Sequence, residues 1–197
     1  MARIEPLPPE HTPELKEAFG AYVKALGFIP NSVLILQRKP KLVKALAQLM
    51  AAVWEPEAEV DRGFKRLLAH VASHVAGCQY CMAHTAGGAL FHGVDPKKVA
   101  DIWEFRTSPH YSEGEKVALD FSIAAASQPN GVTDEMFAQM RRHWSDNQIV
   151  EIAAVVAVFG FFNRWNDTMA TPLEHEPVEV GEKYLAAHGW SAGKHAR

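Results

Sequence analysis

Apolar residues recur every three to four positions along most of the chain, and no segment alternates one by one long enough to suggest a strand. Leu42, Leu46, Leu49, Met50 and Val53 follow Pro40 at helical spacing, and Phe64, Leu67, Leu68, Val71, Ala72 and Val75 repeat the pattern up to Gly77. Polar punctuation agrees with it. Thr12-Pro13 reads as an N-cap followed by proline at the first helical position, opening a helix that runs to about Leu26 and stops at Gly27 and Pro30. Asp95-Pro96 repeats that signal before Val99 and Ile102. Ser112 with Glu115 and Ser145 with Gln148 form capping boxes before the runs Val117 to Ala125 and Ile149 to Phe162, while Asn130-Gly131 marks a turn. The pattern predicts an all-α chain of about eight helices in one compact domain, 1–197. A shift of 85 lays Asp61, Ala69, Val71 and Ala72 on Asp146, Ala154, Val156 and Ala157. That echo divides the domain into a half at about 40–105 and a degenerate second half at about 112–170.

Composition narrows the class. At 197 residues with 48% hydrophobic and 22% charged side chains, the chain can bury a full core without staples. A net charge of −3 gives no basic excess to bind nucleic acid. The charged, proline-rich start, Met1 to Glu10, lacks the apolar run of a signal peptide. Ile149 to Phe162 is interrupted by Glu151 and falls short of the roughly 20 residues of a membrane span. A soluble, cytoplasmic protein is expected, with thiols mostly reduced. The tail Ser191 to Arg197, small and charged, is expected to fray.

Two cysteines are too few for a disulfide scaffold, but they stand as Gly77-Cys78-Gln79-Tyr80-Cys81-Met82-Ala83-His84. In a first helical turn, unpaired backbone N–H groups and the helix dipole favour an anion at the first cysteine, lowering its pKa as a nucleophilic thiol requires. The second, one turn on, is placed to attack a mixed disulfide or sulfenic acid on its partner. His84, on a neighbouring part of the same face, can move protons near neutral pH. Spacing alone does not decide which thiol attacks first. On a continuous helix His70, His74, Cys78 and Cys81 would share one face, which opens a zinc or copper alternative, although the spacing is not that of a zinc finger. The plainest alternative is two small buried hydrophobes. Gly77, Tyr80 and His84 around the pair favour redox chemistry.

The segment Ala72 to Gly88, ASHVAGCQYCMAHTAGG, resembles the carboxymuconolactone decarboxylase and alkylhydroperoxidase D-like family, in its peroxidase-related branch. Gly27-Phe28-Ile29-Pro30-Asn31 and Phe162-Asn163-Arg164-Trp165-Asn166-Asp167 add to the likeness. The resemblance implies an all-helical AhpD-like fold assembled as a dimer, trimer or hexamer. It also implies antioxidant peroxidase activity, with a cysteine pair cycling between dithiol and disulfide. In that scheme Cys81 meets the hydroperoxide, Cys78 resolves it, and an external protein or small-thiol reductant restores both, with no other cofactor and no metal. Two departures unsettle the proton relay. The well-studied members carry a histidine four residues after the second cysteine, where this chain has Thr85. They also carry a glutamate twelve before the first, where it has Arg66. Through the internal echo, Glu151 is the candidate replacement carboxylate, with pairing to Arg66, Arg164 or a backbone group as its bland alternative. Trp165, Asn163 and Asn166 are candidates to line a pocket near the thiols. The competing functions are a decarboxylase-like lyase acting on a small lactone acid, and a metal-binding or structural oligomer.

Overall fold

A computed structural model describes residues 2–196, and among these the secondary structure is entirely helical. Ten α-helices follow in order: α1 (Lys16–Leu26), α2 (Asn31–Leu36), α3 (Pro40–Val53), α4 (Arg62–Val75), α5 (Gln79–Phe91), α6 (Pro96–Ala100), α7 (Glu113–Ala126), α8 (Asp134–Met140), α9 (Asp146–Met169) and α10 (His175–Val180). The expected caps stand at Asp95, Ser112 and Ser145, the last two as reciprocal capping boxes. Thr12 offers no side-chain cap; a single 3₁₀ turn, Pro13–Leu15, precedes α1, so the helix proper begins later than the Thr12-Pro13 signal implies.

α4 is the centre of the molecule. Every residue from Gly63 to Ser73 is buried, polar ones included, because α5, α7 and α9 pack around it. One large core joins these helices, and a smaller cluster of Leu15, Phe19, Val33, Leu36, Val43 and Leu46 holds α1–α3 together as an N-terminal layer. The apolar stripe of α3 is turned from the expected one. Val43, Leu46 and Val53 face inward, whereas Leu42 and Leu49, two turns apart along one edge of that stripe, are exposed.

α9 continues beyond the apolar run to 24 residues, long and apolar enough by composition alone to cross a bilayer, contrary to the expectation from Ile149 to Phe162. It packs against α4 and α7, and its Glu151, Asn163 and Asn166 each meet a protein partner. The described part of the tail, residues 191–196, is anchored at His195, and Trp190 just before it is fixed as well. Trp190 is buried and donates from Nε1 to the Gln79 carbonyl at 3.0 Å, while His195, fully buried, bonds through Nδ1 to the Thr171 carbonyl at 2.8 Å. A small, charged composition conceals two aromatic anchors set on the start of α5.

Candidate functional site

The turn that carries the thiols follows from Gly77. α4 ends in a Schellman arrangement: Gly77 N–H donates to His74 O at 2.9 Å and Cys78 N–H to Ser73 O at 3.1 Å. That ending needs a left-handed residue after the cap, and Gly77 supplies φ +70°. The next residue, Cys78, thereby becomes the N-cap of α5, its sulfur accepting the Cys81 N–H at 3.3 Å. The helix break also separates the residues of the metal alternative. His70 turns to Met82 O and Thr85 Oγ1, both 3.0 Å from Nδ1, and His74 leans on Trp103 with ring centroids 4.2 Å apart. Among the described residues no three metal-ligating side chains converge.

The two free thiols have their sulfurs 2.7 Å apart, both buried. Only Cys81 faces a cavity of ≈ 70 Å³, which lies where the N-terminal layer meets the main core. That is room for a few waters or one small molecule. Its walls mix apolar side chains from α1, α3 and α9, among them Leu26, Met50, Phe159 and Phe162, with the polar groups of Arg66, His84 and Asn166. Burial pushes the Cys81 thiol well above its ordinary value, and Cys78 adds to this; Asn166, donating from Nδ2 at 3.5 Å, opposes it. Asn166 is held in that sense by Thr171, whose hydroxyl donates to Oδ1 at 2.9 Å.

His84 lines the same cavity and is oriented by a residue the sequence did not single out. Its Nε2 lies 2.7 Å from Glu174 Oε2, and the Tyr80 hydroxyl donates to Glu174 Oε1 at 2.9 Å. The Asn31 backbone N–H donates to that same oxygen, and the His84 ring stacks on Tyr80 at 4.2 Å. Burial works to raise the Glu174 carboxyl, yet His84 and the donated hydrogen bonds outweigh it and hold the group below the usual carboxylate range. With Nε2 engaged, Nδ1 is the nitrogen left to exchange protons with an occupant of the cavity. Glu174 lies 90 residues from His84, in no motif. Its only advance signal was the buried Tyr80 hydroxyl, which must find an acceptor.

Glu151 does not serve this site. Its carboxylate is tied to Lys65 Nζ at 2.8 Å and accepts the Glu59 and Val60 N–H groups at 2.9 and 3.1 Å. It stands about 22 Å along α9 from Asn166, the residue of that helix that touches Cys81. The echo misleads because α9 runs unbroken where the first copy breaks at Gly77. Thr85, at the relay position, fastens the Cys81 carbonyl at 2.7 Å instead. Asn163 donates to Ala72 O at 3.4 Å, and Trp165 stacks on Phe161, so neither lines the Cys81 cavity. The larger cavity, ≈ 1140 Å³ between α7 and α9, touches Asn163 but neither thiol.

Arg66 lines the Cys81 cavity too. It is buried, lies over the Trp54 ring at 4.0 Å, and packs against Gly88, where a Cβ would meet its Cδ at 3.0 Å.

Residues 40–124 match the carboxymuconolactone decarboxylase family. The chain is similar to the debrominase Bmp8, whose cysteine-to-alanine variant is solved in complex with 2,3,4-tribromopyrrole. That likeness is 31% identity at a TM-score of 0.87, over 92% of this chain and 96% of that one. An uncharacterised peroxidase-related protein with an alkylhydroperoxidase AhpD core, from Ralstonia eutropha JMP134, shares the fold at TM-score 0.78 and 19% identity, over 89% and 94% of the two chains. YnjA of Escherichia coli, itself uncharacterised, is 20% identical over 137 residues, which span 70% of this chain and 75% of YnjA.

Proposed function

The chain belongs to the carboxymuconolactone decarboxylase family and has an AhpD-like fold, and from that premise we propose that it is a thiol-dependent peroxidase. The observation that carries the reading is a pair of free thiols in contact, of which Cys81, and not Cys78, lines the cavity of ≈ 70 Å³. The Cys81 proton passes to His84 Nδ1, and the thiolate attacks the terminal oxygen of a hydroperoxide. The O–O bond breaks, the alkoxide leaves as an alcohol by taking the proton back, and Cys81 becomes a sulfenic acid. Cys78, already against it, attacks the oxidised sulfur; a disulfide forms and water departs. An external dithiol returns two electrons and two protons. Asn166 donates to the sulfur as its charge develops, and the Glu174 carboxylate steadies the His84 imidazolium.

Turnover of an organic hydroperoxide with dithiothreitol tests this. Cys81→Ser is expected to abolish it, and Cys78→Ser, treated with one equivalent of hydroperoxide in the absence of any thiol reductant, to hold a sulfenic acid on Cys81. Full turnover by Cys81→Ser would overturn the reading. The likeness to a debrominase favours a second reading, in which the same dithiol supplies two electrons to replace an aryl bromine by hydrogen, releasing bromide and leaving the same disulfide. Bromide release from a bromopyrrole, with no turnover of hydroperoxides, would put that reading first. A lyase acting on a lactone acid has no use for two thiols in contact and is the least supported.

A further inference from the structure

We propose that Arg66 is an anion subsite of the Cys81 cavity, and that the substrate is a small, largely apolar molecule carrying a carboxylate. The inference rests on the thiol reading for what happens at Cys81, but not for the binding itself.

Arg66 lines the cavity at 7% exposure, makes no ion pair among the described residues, and its Nε has no acceptor. A guanidinium removed from water with nothing to neutralise it is unfavourable unless a partner arrives. No carboxylate pairs with it among the described residues: Glu151 is taken by Lys65 and Glu174 by His84. Burial, with the like-charged Arg62 adding to it, lowers Arg66 to about 10.

The surroundings hold the cation rather than merely tolerate it. Trp54 presents a ring face to it, and the absent side chain of Gly88 clears its path. The walls of the cavity that Arg66 and Cys81 share also include Met50, Phe159 and Phe162, which suit a hydrocarbon body. A planar carboxylate matches the guanidinium fork, with the molecule's reactive atom at the other end, near Cys81.

Titration calorimetry of the reduced, full-length protein with benzoate and with benzyl alcohol tests the subsite without turnover. Benzoate is expected to bind at least about tenfold more tightly than the alcohol. Arg66→Met should erase the difference. Gly88→Ala, whose Cβ would stand 3.1 Å from Arg66 Nε, should weaken benzoate while leaving the charge in place. No benzoate binding, equal binding of the two probes, or benzoate binding untouched by Arg66→Met would each overturn the subsite. Benzoate bound through Arg66 in a protein that turns over no hydroperoxide would keep the subsite and remove the peroxidase reading. Hydroperoxide turnover by a protein that ignores benzoate would do the reverse.

Discussion

In the proposed reaction Cys81 is a nucleophile that burial works against, and Asn166 is the group that offsets it. Its N–H reaches the sulfur at 3.5 Å from a side chain already oriented by Thr171, so it strengthens as negative charge develops on the sulfur. Asn166→Leu is therefore expected to slow alkylation of Cys81 by iodoacetamide about tenfold and to move its pH dependence upward. A stopped-flow rate profile from pH 6 to 10 checks this, and an unchanged profile would show that the amide does nothing for the thiolate. At this scale the sequence was informative where the chemistry is local. The spacing of Cys78, Cys81 and His84 placed all three at one site. It was silent where the chemistry is remote, since Glu174 reaches His84 only through the folding of α10 onto α5, and nothing around Glu174 distinguishes it from the chain's other glutamates.

The element that decides the site is the α4–α5 junction. A Schellman ending followed at once by an N-cap puts Cys78 in both motifs, so any distortion at Gly77 is felt by the sulfur. Gly77→Ala introduces a Cβ at φ +70°, with open space around it, so its cost is conformational: about 1 kcal/mol. Chemical denaturation should show that loss, accompanied by slower disulfide formation; stability equal to the parent would contradict the geometry. Helices with capping signals and long apolar runs, such as α7 and α9, were legible from sequence. The short α2 and α10 were not, because six residues carry too little periodicity and their stability comes from tertiary contacts such as Asn31 Nδ2 to Pro172 O at 2.9 Å. The tail was misread for a related reason. Its anchors, Trp190 and His195, are single residues in a polar context, and what they bury against is chosen by the fold.

Across the whole molecule, the core around α4 encloses polar groups that make stability depend on pH. His70 is buried, with Nδ1–H bonded and Nε2 left without a partner, and desolvation lowers it to about 4. Because its folded pKa lies below the unfolded value near 6.5, the unfolded chain binds the proton first as pH falls. The contribution is thus intact above about 6.5, and roughly 3 kcal/mol of it is lost by pH 4. His74, His92 and His195, also lowered by burial, act in the same direction. Urea midpoints measured between pH 7 and 4 should fall steeply over that window, and His70→Leu should flatten the fall although it costs stability at pH 7. The all-helical class was plain from periodicity. The cavity was not, because it exists only where the α1–α3 layer closes over α4, α5 and α9, a juxtaposition that no local pattern encodes.

The central claim is that Cys78 and Cys81 act as one two-electron unit facing that cavity. Mass spectrometry of the reduced protein after one equivalent of an organic hydroperoxide tests it most directly. The account predicts stoichiometric loss of both thiols to a single intramolecular Cys78–Cys81 disulfide, reversed by a dithiol. Persistence of both thiols, or sulfinic acid on one cysteine with the other still free, would contradict it.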